Sequence, residues 1–266
     1  MSVVSNDYAS ESGHWYMPVT GEPAYEIVGA NGKTRSTTLR DAKKLGYLLP
    51  SVTSVSRVLA APALEQYKVK QGIMAALTLP RLENEGDAQF IARVLQDSKE
   101  EGKAAADRGT IGHGQVERRL LGKPVDPEWI PLVDAVMKTL DDHFGALSRW
   151  EPEKSFASPL GYGGKVDLHN RDARIVVDLK SKDGDLSDVQ VYDEHAMQLA
   201  AYAMGLWGAP ASVAANCFFS RTLPIAKIVV HTPEEHSRGW AMFRHCLELW
   251  FLQKNYRPQP KPLEAA

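Results

Sequence analysis

Asp167, Asp178 and Lys180 are the residues whose types and spacing point most directly to chemistry. They fall within residues 161–181, GYGGKVDLHNRDARIVVDLKS, which reads as two strands joined by a polar turn. Asn170, Arg171 and Asp172 are turn formers, and the run from Ile175 to Lys180 is rich in β-branched residues. With a four-residue loop from Arg171 to Arg174, Asn170 faces Ile175 and Asp167 falls opposite Asp178. Val166 and Leu168 then share a face with Val177 and Leu179. Lys165, Asp167, Asp178 and Lys180 share the other, because strand side chains alternate with period two. Two carboxylates opposed at roughly 5 Å between Cβ atoms repel each other. Lys180 is one candidate to offset that charge and a divalent cation is another, since oxygen-rich sites suit Mg2+ or Mn2+. The plainer alternative is a solvated surface cluster of little energetic weight.

Two further pairs have helical spacing. His113 and Glu117 are four apart and share a helix face. Their helix also carries Gly109, Gly112 and Gly114, each costing roughly 0.5–1 kcal/mol relative to alanine. That concentration implies close approach by another backbone or a ligand. Gln198 and Tyr202 are also four apart, with His195 one turn earlier. Read alone, His113 fits a packed, hydrogen-bonded histidine, Glu117 a partner for Arg118 or Arg119, and Tyr202 an amphipathic core residue.

These groups must be held by an ordered framework. Residues 25–28 and 33–38 flank Asn31-Gly32, a hairpin signal. Gly32-Lys33-Thr34 looks like the end of a phosphate-binding loop, but Ile27 stands where its first glycine belongs. From Pro50 the chain reads as helical to about Ala106, with breaks at Pro62 and Pro80. Helices are expected from Arg108 to Leu121, stopped by Gly122, and from Pro127 to Trp150. A strand over 153–158 precedes the Asp-bearing hairpin. Ser187-Asp-Val-Gln190 has capping-box spacing and opens a helix ending at Gly208. Strands follow over 211–222 and 225–232. Thr232-Pro-Glu-Glu235 caps a final helix to about Tyr256. The pattern is an α/β core with a central mixed sheet. Residues 1–105 form a hairpin and mainly helical lobe packed on it, 106–257 the core, and 258–266 a Pro-rich tail. The polar first ~20 residues are expected to be loosely ordered.

Composition narrows the classes. A chain of 266 residues supports a substantial core. Its formal net charge of -2 argues against a globally basic, histone-like binder. Two cysteines, Cys217 and Cys246, are too few for a four-cysteine iron-sulfur cluster or a cysteine zinc site. No run of eighteen apolar residues and no basic-then-apolar leader is present, so an intracellular protein without membrane association is expected.

Taken in chain order, Gly109-Thr110-x-x-His113-x-x-x-Glu117, Gly164-x-x-Asp167, Asp178-x-Lys180 and Gln198-x-x-x-Tyr202 resemble the RecB-type exonuclease branch of the PD-(D/E)XK nuclease superfamily. The four blocks span about Arg108 to Trp207, and the Pro50-Ser-Val-Thr-Ser-Val55 run with its helical lobe is similar to phage-encoded exonucleases of that branch. The resemblance implies a restriction-endonuclease-like core and hydrolysis of phosphodiester bonds from DNA ends, in recombination, repair or phage DNA metabolism, in the cytoplasm. It implies one or two Mg2+ or Mn2+ ions held by Asp167, Asp178, the Leu179 carbonyl and His113. Lys180 would orient water or stabilise phosphoryl charge, and Glu117 would orient His113 or a metal-bound water. Gln198 and Tyr202 would position the substrate strand or the Asp178–Lys180 segment, and Glu153 would add a carboxylate. Arg108, Lys165 and Lys182 are candidate phosphate contacts. A structure-specific endonuclease on the same fold and a catalytically silent DNA-binding scaffold stay open, as do a homo-oligomer and a recombination partner.

Overall fold

The β-branched runs of the second half assemble one sheet, and it carries the candidate site. The computed structural model describes residues 3–4, 14–29, 31–145 and 149–259. Strands β6 (Glu151–Ser158), β7 (Tyr162–Asn170), β8 (Ile175–Lys182), β9 (Val213–Ser220) and β10 (Ala226–His231) form a five-stranded sheet in the order β10-β9-β8-β7-β6. β8 and β9 are parallel and the other neighbours antiparallel, so the sheet is mixed. The parallel pair needs a crossover, supplied by α6 (Asp193–Trp207).

Helices cover both faces. α6 and α7 (Pro233–Lys254) lie on one side over a cluster including Val166, Val176, Met197, Tyr202 and Phe243. α4 (Asp87–Leu120) and α5 (Ile130–Phe144) lie on the other over Leu168, Val177, Leu179, Cys217 and Phe219. The cysteines are core residues of separate clusters, Cys217 in the second and Cys246 in the first. α6 is buried without interruption from His195 to Ala203, as its alanine-rich sequence allows between a sheet and a second helix.

The N-terminal part adds short strands β1 (Val3–Val4), β2 (Trp15–Tyr16), β3 (Glu26–Val28), β4 (Thr34–Ser36) and β5 (Leu49–Pro50), with helices α1 (Leu39–Leu45), α2 (Val52–Ser56) and α3 (Pro62–Thr78). β3 and β4 pair as expected, but Val28 faces Thr34, so the connection spans 29–33 instead of a two-residue turn. Trp15 and Tyr16 correct the expectation of loose order to residue ~20: both are buried, and Tyr16 packs on Gly163, where a Cβ would meet it at 2.6 Å. Residues 1–2, 5–13 and 260–266 of the expected terminal segments lie outside the described residues.

Three boundaries differ from the sequence pattern. α4 runs unbroken through residues 105 and 106, where the lobe was expected to end. α5 stops at Phe144, capped by Gly145 at φ 91, not at Trp150. α6 begins at Asp193 instead of Ser187, because Asp185 Oδ1 takes the Ser187 amide in a local turn and Lys227 Nζ donates to the Leu186 and Ser187 carbonyls. The Thr232 capping box forms as read, with Glu235 Oε2 accepting from the Thr232 amide at 2.8 Å. Among the described residues no helix is long and apolar enough to cross a membrane.

Candidate active site

The register of the β7–β8 hairpin follows from its loop. Asn170 pairs with Ile175, His169 with Val176 and Leu168 with Val177, and there the ladder ends. The next position would bring Asp167 to Asp178. Instead Asp167 Oδ2 accepts from the Leu179 amide at 2.7 Å, a side chain replacing a main-chain partner. The pleat is also broken at Asp167. Val166 packs toward α6 and α7, whereas Leu168 packs toward α4 and α5, so they do not share a face. On β6, the position between Pro152 and Lys154 is unpaired with Asp167, and its residue, Glu153, has φ 56. That left-handed backbone, rare for glutamate, accompanies the flip.

Beyond the ladder, Asp178 and Lys180 face α6. Lys180 Nζ donates to Asp178 Oδ2 at 2.8 Å and to Gln198 Oε1 at 3.0 Å. Gln198 Nε2 in turn donates to the Tyr202 hydroxyl at 2.7 Å. Asp167 and Asp178 are 5% and 2% exposed, so the solvated surface cluster does not hold. Carboxylates this buried persist as charges only where donors meet them.

From the other face, α4 brings His113, with Nδ1 3.6 Å from Asp167 Oδ2. Its ring meets Phe219 edge-on at 5.5 Å. Although 28% of the side chain meets solvent, burial pushes its pKa down to about 4, against the pull of Asp178. The imidazole is neutral at pH 7 and keeps a lone pair. Two glycines let α4 come this close: a Cβ on Gly109 would lie 2.5 Å from Ser181 Oγ, and one on Gly112 would lie 2.8 Å from the Phe219 ring. Arg221 fastens the same junction, forking onto Asp183 at 2.8 and 2.6 Å while donating to the Ala105 carbonyl at 3.2 Å.

The remaining expected residues separate. Glu117 stands one turn past His113 on α4, half-buried. Gln198 and Tyr202 are buried, and Gln198 accepts from Lys180, which joins them to the Asp178–Lys180 segment. Lys165 is ion-paired with Glu153. Burial disfavours the ammonium charge, yet the Glu153 carboxylate outweighs this and holds its pKa above the ordinary value. Glu153 is thereby spent on Lys165. Arg108 lines a groove of about 1100 Å³ with Arg118, Trp129 and Arg221, on another face of α4 from His113. Five residues along a helix turn a side chain well away from its starting face. Lys182 is exposed at the end of β8.

Sequence reading missed Asn216. It is fully buried in β9, beside Asp178 in the parallel register, and its Nδ2 donates to Asp178 Oδ2 at 2.9 Å. A lone amide inside the apolar run VAANCFF was the available signal.

No family model and no curated protein matches this chain. The solved structures similar to it include two at 14% identity. One is that of SSO0001, with a TM-score of 0.29, covering 74% of this chain and 89% of the other. The second is a "putative exonuclease" of Eubacterium rectale, with a TM-score of 0.36, covering 68% of this chain and 75% of the other. Likeness that loose fixes neither a fold family nor an activity.

In kind, the donors fit a hard divalent ion: two buried carboxylates, a neutral imidazole and the Leu179 carbonyl. Among the described residues, however, no three His, Cys, Asp or Glu side chains are grouped around a common point.

Proposed function

We propose that this chain is a divalent-metal-dependent deoxyribonuclease, acting as an exonuclease on DNA ends. One observation carries the reading: Lys180 Nζ bridges Asp178 Oδ2 and Gln198 Oε1, 2.8 and 3.0 Å away, at the point where the β7–β8 ladder opens beside Asp167. Two buried carboxylates and an ammonium at a strand opening form an arrangement in which acceptors for a cation and a donor for a phosphate stand side by side. A purely structural network would not need two carboxylates there, since burying each costs several kcal/mol.

Asp167, Asp178, His113 and the Leu179 carbonyl would hold the ion. Mg2+ or Mn2+, when bound, polarises the scissile phosphate and lowers the pKa of a water. The chain's own part is positional and electrostatic. Gln198, fixed by Tyr202, aims the Lys180 ammonium out of the α6 face, where it offsets charge gathering on the phosphoryl oxygens. The neutral His113 ring lends a lone pair without adding positive charge that would repel a cation. Lys182, exposed beyond Lys180, offers a phosphate contact at the rim.

The test is incubation of the purified chain with end-labelled linear DNA, circular single-stranded DNA and supercoiled DNA, in Mg2+ and in Mn2+. Degradation confined to the linear substrate, abolished by EDTA and reduced by orders of magnitude in Lys180→Ala, is expected. Cleavage of the circles would replace the exonuclease with an endonuclease, and full activity in a folded Lys180→Ala would refute the site.

A further inference from the structure

We infer that Asn216 and His231 are positioning residues that fix the Asp178 carboxylate; the consequence for metal binding rests on the nuclease reading above. Neither belongs to the four sequence blocks, and both are buried. Asn216 sits beside Asp178 across the parallel β8–β9 pair. His231 lies on β10, two residues along from Val229, the antiparallel partner of Asn216, and so on its diagonal. The contacts form a chain: His231 Nε2 is 2.8 Å from Asn216 Oδ1, and Asn216 Nδ2 is 2.9 Å from Asp178 Oδ2.

The chemistry of these groups determines the direction of the chain. An ionised carboxylate only accepts, so Asn216 must turn its NH2 toward Asp178 and its oxygen toward His231. The contact at His231 is then a hydrogen bond only if Nε2 carries the proton. Amide orientation and imidazole tautomer thus fix each other, and the Nδ1 side, 3.9 Å from Glu235 Oε2, lies beyond hydrogen-bond reach. Burial keeps the ring neutral by pushing its pKa below the ordinary value.

The consequence falls on Asp178. Lys180 and Asn216 both donate to the same oxygen, Oδ2, one from the α6 side and one from within the sheet. Lys180 is partly exposed and divides its ammonium between Asp178 and Gln198. Asn216 is fully buried and hydrogen-bonded at both ends of its amide, so it sets the rotation of the carboxylate and the direction of its other oxygen. Outer partners of this kind are typically worth about 10–100-fold in metal affinity.

The experiment pairs a metal-free readout with a metal-binding one on the full chain. Long-range nitrogen–proton NMR should show His231 as the Nε2–H tautomer in the wild type, with that preference lost in Asn216→Leu. Calorimetric titration with Mn2+ should show affinity weakened about tenfold in Asn216→Leu and, to a lesser degree, in His231→Phe. His231→Gln, which restores a donor, should recover most of it. Thermal melts establish that each variant is folded, and His231→Phe on β10 serves if Asn216→Leu is not. An Nδ1–H tautomer in the wild type, or wild-type Mn2+ affinity in a folded variant, overturns the inference. Absence of Mn2+ binding by the wild type refutes the nuclease reading instead, and the tautomer still decides whether the chain of hydrogen bonds exists.

Discussion

Asp167 Oδ2 and the Leu179 amide are joined at 2.7 Å, at the position where main-chain pairing between β7 and β8 stops. One side chain therefore holds the strand opening and places a buried carboxylate beside it. The two roles separate by mutation, because an amide oxygen accepts as a carboxylate oxygen does but carries no charge.

Asp167→Asn is expected to keep the Leu179 bond and the fold while losing metal-dependent cleavage by orders of magnitude. Asp167→Ala also leaves a buried N–H without its acceptor, which costs about 1–3 kcal/mol. Urea denaturation run beside an activity assay checks both. Equal destabilisation in the two variants would show that the bond contributes nothing to the opening.

Gln198 gives a sharper test of what α6 does. Its side chain is buried and donates to Tyr202 while accepting from Lys180. Gln198→Ala should lower kcat about 10-fold or more, in line with losing a held electrostatic group, and leave KM for DNA nearly unchanged. A raised KM with normal kcat would mean that Gln198 meets the substrate directly.

Much of this framework was legible because it is local. The four-residue loop fixed the hairpin register, and the Thr232 box formed where its spacing placed it. The glycines of α4 announced a close approach, met by Ser181 and Phe219. What escaped depends on long-range geometry. The flip at Asp167 goes with the backbone of Glu153 on another strand, fourteen residues back in the chain. Arg108 was grouped with the site by nearness in sequence, but it lies on another face of α4 from His113, along the groove it lines with Arg118 and Trp129. The Ser187 box lost to a turn held by Asp185 and to Lys227, which no local spacing reveals. Asn216 was visible as an isolated polar residue, but its meaning came only from β8 and β10 lying on either side.

Acid sensitivity follows from two histidines outside the proposed ligand set. Burial pushes the pKa of His195 down to about 4 and that of His14 to about 3, against 6.5 in an unfolded chain. The unfolded state therefore binds protons more readily below pH 6.5. Stability from these neutral rings is complete above pH 6.5 and drains as pH falls toward about 4 and about 3 respectively, by up to ~1.4 kcal/mol per pH unit for each proton. His14 stacks on Tyr25 at 3.8 Å, and its Nδ1 is buried with no hydrogen bond. His14→Phe should keep the stack, lose one proton's share of the slope between about pH 7 and pH 5, and be no less stable at neutral pH. Urea denaturation without metal across that range decides it, and an unchanged slope would mean that His14 does not titrate on unfolding.

The seam between α4 and β8 can be tested by adding one methyl group and removing one oxygen. Alanine at 109 puts its Cβ 2.5 Å from Ser181 Oγ, which no ordinary contact tolerates, and 3.5 Å from Ser181 Cβ, which is normal packing. Ser181 cannot simply turn aside without loosening Arg221, whose guanidinium reaches the same oxygen at 3.4 Å. Gly109→Ala is therefore expected to destabilise the chain by about 1–3 kcal/mol despite alanine's better helix propensity. It should depress cleavage too, because His113 stands one turn further along the displaced helix. Ser181→Ala alone should be mild. The double variant should recover most of the loss, giving a coupling of about 1–2 kcal/mol in a double-mutant cycle. Additive effects would mean that α4 meets no obstacle at Ser181, and that its distance from β8 is set by Phe219 and Arg221 alone.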